Sequence, residues 1–68
     1  MKTKDGIEIT KEDFENYLRA QKSGRFNMFS SEARELTGLS KQQYSAVLKN
    51  YSELVVEYEE SYNRIIGG

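Results

Sequence analysis

The sequence predicts an all-α fold of three helices, or four, in one domain spanning residues 1 to 68, with a long C-terminal helix. Three observations carry that reading. No proline interrupts the chain. Two helix starts are marked by cap residues, Thr10 ahead of Lys11-Glu12-Asp13 and the S-x-x-Q box Ser40 to Gln43. From Tyr44 to Ile66, apolar residues recur at spacings of three and four, the period of a helix with one buried face.

The elements follow in order. Asp5-Gly6 reads as a turn, which leaves Ile7-Glu8-Ile9 as a short extended segment. Ile9 is also placed to pack beside Phe14 across the Thr10 cap, as a hydrophobic staple. The first helix covers residues 11 to 22: Glu12 and Asp13 suit its positive end, Phe14, Tyr17, Leu18 and Gln21 keep the period, and Gly24 supplies a left-handed stop. Phe26, Met28 and Phe29 then load a connector with large apolar side chains, so it is expected to plug the core or form a contact surface. Ser30 or Ser31 caps a short second helix, residues 31 to 37, with Ala33 and Leu36 inward, ending at Gly38. The third helix runs from 41 to 66, roughly 38 Å at 1.5 Å per residue if unbroken. Its apolar stripe keeps phase throughout, which favours a continuous or bent helix. A break at Asn50, with Ser52 capping a fourth helix, is the alternative.

Composition bounds the chemistry. With 68 residues and neither cysteine nor histidine, the chain has no disulfide, no thiolate nucleophile, no zinc-finger spacing and no Ser-His or Cys-His pair. Its acids follow no calcium-loop pattern, and no cofactor or metal is expected. A non-catalytic, cytoplasmic protein is the natural reading, since neither an apolar run long enough to span a membrane nor an export signal is present. A chain this short buries only about 60% of its unfolded surface, and self-association is the support that composition leaves open. Asn50-Tyr51-Ser52 matches a glycosylation sequon without an export signal, and Gly67-Gly68 reads as a flexible tail.

Three constellations bear on function. Tyr44, Tyr51, Tyr58 and Ile65 stand seven apart, with Val47 and Leu54 three after the first two, an a/d pattern. The stripe is either the inner face of an intramolecular bundle or a homodimer seam. Its far half outruns the two short helices and calls for a cover, a second copy or another protein. Glu57, Tyr58, Glu59, Glu60, Tyr62 and Ile65 on that distal half are the candidate protein-binding residues.

Second, Ser31 to Tyr51 reads helix, Gly38-Leu39-Ser40 turn, helix. Ala33, Thr37, Gly38, Leu39, Tyr44 and Val47 fall near the inside corner of a helix-turn-helix. Lys41, Gln42, Gln43, Ser45 and Lys49 are then the candidate DNA contacts, and no acid lies between Glu35 and Glu53. Against it, the small residue before the glycine is displaced, and a net charge of -1 gives no global pull on phosphates.

Third, Lys22 to Phe29, K-S-G-R-F-N-M-F, resembles an S-G-x-x-N-M-F motif of small uncharacterised bacteriophage and prophage proteins, carried by Ser23, Gly24, Asn27, Met28 and Phe29. K-N-Y-S-E-L, Lys49 to Leu54, and the following Y-E-E are similar in flavour. Ser30-Ser31 stands where an acidic residue often follows the motif. The resemblance implies a phage or mobile-element origin, a bacterial cytoplasm and a small accessory protein that tunes or blocks a host or phage machine. The motif loop itself reads as structural: Gly24 stops a helix, Asn27 turns the backbone, and Met28 and Phe29 insert into the core. The leading expectation is thus a protein-binding regulatory protein, with a helix-turn-helix DNA binder as the alternative.

Overall fold

The computed structural model describes residues 1–24, 27, 28 and 30–67. Within them the chain is helical, in five pieces: α1 Lys11–Ser23, α2 Ser31–Thr37, α3 Lys41–Lys49, α4 Tyr51–Glu57 and α5 Glu59–Ile65. The first two helices fall where the sequence places them. The expected long C-terminal helix does not: it is bent into α3, α4 and α5. The molecule's longest dimension is 29 Å, too short for a straight helix of roughly 38 Å.

The N-terminal residues make a tight turn before α1. The Gly6 N–H donates to the Thr3 carbonyl at 2.9 Å, with Gly6 at φ 79, and Lys2 pairs with Glu8 in a lone antiparallel bridge. Thr10 and Asp13 form a reciprocal capping box. Ile9 and Phe14 flank it, both wholly buried, as a staple requires. Gly24 closes α1 at φ 66, and its N–H donates to the Gln21 carbonyl.

Asn50 and Tyr58 are the two bends, at φ -117, ψ 25 and φ -115, ψ 45. Neither is a loop. The Leu54 N–H opens α4 on the Asn50 carbonyl at 3.0 Å, and the Tyr62 N–H opens α5 on the Tyr58 carbonyl at 3.0 Å. At the first bend the Ala46 carbonyl accepts twice from buried Asn50, from its N–H at 3.0 Å and from its side-chain Nδ2 at 2.8 Å. That side-chain bond competes with the regular ladder and marks where the helix turns. Ser52 is exposed and is not the cap; Asn50 occupies the N-cap position of α4 without a side-chain cap bond. At the second bend the Tyr58 hydroxyl donates to the Ile9 carbonyl at 2.8 Å and accepts from the Met1 amino group. Its ring lies 6.1 Å from Phe14. Tyr58 is thereby pinned to the start of α1, and the backbone follows.

The bends wrap the stripe around α1, which packs against α5 on one side and α2 on the other. The core holds Ile9, Phe14, Leu18, Ala33, Leu39, Val47 and Leu54, with an aromatic cluster along it. Tyr17 stands 5.5 Å from Tyr44 and 5.9 Å from Tyr51; Phe14 stands 5.9 Å from Tyr51. Burial pushes the phenols of Tyr17, Tyr44, Tyr51 and Tyr58 up, Tyr17 to about 12. Leu36, expected inward, is 56% exposed. The inner face of α2 runs Ala33 to Thr37, one full turn, and Leu36 falls to its side. No helix among the described residues is long and apolar enough to cross a membrane.

One polar network locks α5 onto α1. Glu15, its side chain 13% exposed, accepts from the Ser61 hydroxyl at 2.7 Å, from Arg64, and from Arg19 at 3.5 Å. Ser61 is wholly buried, so its hydroxyl needs this partner. The Ser61 hydrogen bond, helped by the Arg64 charge, holds the Glu15 carboxyl below its ordinary value in spite of desolvation. A lowered folded pKa stabilises above the unfolded value and is lost as pH falls through the folded one. Wild type should therefore lose stability as pH drops below about 4.3. Glu15→Gln should flatten that part of the profile, read from urea midpoints across the acid range.

Candidate functional site

The segment from Ser30 to Asn50 is the best-built surface element of the molecule. The Ser30 hydroxyl caps α2 by accepting from the Ala33 N–H at 3.2 Å. Gly38 then takes φ 74, a left-handed conformation that only glycine adopts at little cost, and turns the chain. Beside it the Thr37 hydroxyl donates to the Arg34 carbonyl at 2.6 Å and accepts from the Leu39 N–H at 3.2 Å. It thus satisfies the backbone on both sides of the turn. Ser40 and Gln43 close a second reciprocal capping box, at 3.1 and 2.9 Å.

Five of the six residues expected at the inside corner are inside, and Gly38, at the turn itself, is exposed. Ala33, Thr37, Leu39, Tyr44 and Val47 are all at most 5% exposed. The opposite side of α3 is polar: Lys41, Gln42 and Lys49 are exposed and Ser45 is half-buried. Positions 41, 45 and 49 are one turn apart, so these side chains share a face. Among the described residues neither Lys41 nor Lys49 is in an ion pair.

Two open grooves flank that ridge. One, of about 460 Å³, lies towards the N-terminal turn and is lined by Lys41, Gln42, Ser45 and Lys49 with Asp5 and Ile7 opposite. The other, of about 320 Å³, lies towards α2, where Ser30, Ser31 and Arg34 face Lys41 and Ser45. Arg34 thus joins the cationic face from a neighbouring helix, a contribution that the pattern of α3 alone does not reveal. Gln43 separates from the other candidates. Its carbonyl oxygen caps Ser40 and its amide reaches Asp13 at 3.4 Å, so its hydrogen bonds are spent inside the fold.

The distal candidates divide. Glu57, Glu59 and Glu60 are exposed. Tyr58 holds the N-terminal turn, Ile65 is buried at 8% exposure, and Tyr62 is half-buried against the core. A homodimer seam through Tyr58 and Ile65 would require that packing to open. Val56, which sequence reasoning passes over, is instead the apolar side chain left outside, 73% exposed. The stripe pattern does not foretell this, because it counts Val55 and skips Val56.

The motif loop is tied into the fold where it is described. The Ser23 hydroxyl donates to the Ala20 carbonyl at 2.7 Å, and Gly24 ends α1. The Asn27 carbonyl accepts the Ser30 N–H at 2.9 Å. Met28 packs against the core and its carbonyl takes the Tyr44 hydroxyl. Phe29, the fifth motif residue, lies outside the described residues.

No family model, curated protein or solved structure matches the chain. Its own geometry is therefore the guide, and the turn is where that geometry is most testable. Thr37→Val keeps the shape but strands the buried Leu39 N–H, at a cost of about 1–3 kcal/mol. Gly38→Ala should cost about 1 kcal/mol from backbone conformation alone. Urea unfolding measures both, and only Thr37→Val should speed hydrogen exchange at Leu39 beyond the global loss.

Proposed function

We propose that the chain is a small, non-catalytic regulatory protein that binds duplex DNA through α2, the Gly38 turn and α3. The observation that carries this is the division of faces around the turn. Five inside-corner residues are buried while Lys41, Gln42, Ser45 and Lys49 stand together outside. An α-helix with its side chains is about 10–12 Å across, which a major groove about 12 Å wide admits, and α3 offers nine residues to it. In that seat Lys41, Lys49 and Arg34 neutralise phosphates, while Gln42 and Ser45 face base edges. The net charge of -1 is unevenly placed: α3 itself carries no acid, while Glu32 and Glu35 lie on α2 and Asp5 stands across the groove. The N-M-F resemblance supports a phage or prophage setting for such a regulator, and with it a bacterial cytoplasm.

A second reading is a phage-type accessory protein that acts by protein–protein contact. The exposure of Val56 beside Glu53 and Glu57 favours it. The two readings use different faces and can hold together.

Fluorescence anisotropy on a labelled duplex tests the first. Binding should weaken steeply as salt rises from about 50 mM. Lys41→Ala and Lys49→Ala should each lower the slope of log affinity against log salt by about 1. Gln42→Ala should relax sequence preference, worth about 1–3 kcal/mol at one base pair. No saturable signal from any duplex at low salt and micromolar protein would sink the DNA reading.

A further inference from the structure

The outer face of α4 carries an apolar side chain that the chain leaves uncovered. Val56 sits in an open notch of about 450 Å³, bordered by Met1, Ser52, Glu53 and Glu57. The rim is anionic. Glu53 and Glu57 flank the notch, Glu59 and Glu60 follow at the start of α5, and all four are exposed. Of the nearby cations, Arg64 is engaged by Glu15, and the Met1 ammonium by Glu8, the Ile9 carbonyl and the Tyr58 hydroxyl. One ammonium of the chain does reach the rim: Lys4 Nζ lies 3.1 Å from Glu53, with the Lys4 side chain 80% exposed. An exposed pair of this kind contributes little and is readily exchanged for another cation. It displays the chemistry that the rim accepts.

The charge also decides between occupants. A two-fold pairing of this face with a second copy would set Glu53 and Glu57 against their own counterparts, and like charges across an interface repel. We propose that the notch binds a cationic segment of another protein. An apolar side chain of that segment seats on Val56 and Met1, and flanking Lys or Arg side chains meet Glu53 and Glu57 in place of Lys4. This rests on the protein-contact reading and names its partner class.

The test is a titration of the isotope-labelled chain with a short, end-blocked Lys-Leu-Lys peptide, followed by amide chemical shifts. A Lys-Ser-Lys peptide of equal charge is the control. Val56 is exposed, so the uncharged replacement Val56→Ser should leave the melting curve unchanged and serve as a clean variant. The expected result is saturable shifts centred on Ser52, Glu53, Val56 and Glu57. Affinity should fall about tenfold with Val56→Ser, and similarly with the serine peptide, as loss of one apolar seat implies. Glu57→Lys should weaken binding too. Equal affinity for both peptides, or indifference to Val56→Ser, overturns the proposal. So does a dimer, seen by light scattering, that Val56→Ser dissolves, since a second copy then occupies the face. A saturable footprint elsewhere overturns the notch but leaves the protein-contact reading standing. No saturable footprint from either peptide overturns both.

Discussion

A stripe of tyrosines and aliphatic residues running from Tyr44 to Ile66 has one helix of thirteen residues, α1, as its main cover. Everything else in the structure answers to that shortage. A straight helix would carry its distal half past the end of α1 and into water. The bends at Asn50 and Tyr58 shorten the stripe's reach and bring α5 back onto α1. Each bend is a single residue that closes one helix and opens the next, Asn50 through Ala46 and Leu54, and Tyr58 through Leu54 and Tyr62, so no loop is inserted between the helices. What is gained is burial of Leu54 and Ile65 without a second chain.

Tyrosine in such a core brings an obligation as well as area, since each hydroxyl needs a polar partner at the rim. Tyr44 finds the Met28 carbonyl, Tyr51 the Gln21 side chain at 3.0 Å, and Tyr58 the Ile9 carbonyl. These partners lie in three places: the motif loop, the last turn of α1, and the residue before its cap. The hydroxyls therefore act as ties between the stripe and the segments that surround it. In a chain without disulfides such ties take on part of the specifying role that cross-links have elsewhere. The motif loop belongs to this scheme, since its described residues are bound to the fold rather than held out from it.

Local rules were legible in the sequence because they need only neighbours. Thr10, Ser30 and Ser40 cap the helices that follow them, and Gly24 and Gly38 end the helices that precede them. The inside corner of α2 and α3 was readable as well, since its spacing depends on a glycine turn alone. The bends were harder. Asn50 is a plausible break in sequence, but its cause is a side chain turned back on Ala46, and Tyr58 bends through a partner 49 residues away. The distal contact set failed to hold together for the same reason: periodicity marks Tyr58, Tyr62 and Ile65 as apolar without saying what they meet. Glu15 and Ser61 were silent in sequence, because a carboxylate and a hydroxyl 46 positions apart become a pair only once α5 folds back.

The meeting of α1 with α5 has a kinetic meaning. It closes a loop of most of the chain, and the entropy of that closure must be met before the contact stabilises anything. α1 on its own is too short to persist in water, and α5 shorter still. Neither end can then serve as a seed for the other. The molecule should assemble in one step that draws both ends together, and loss of either end helix should unravel the remainder instead of trimming it. A protein so arranged has no stable half, so a cut within either end helix should unfold the whole.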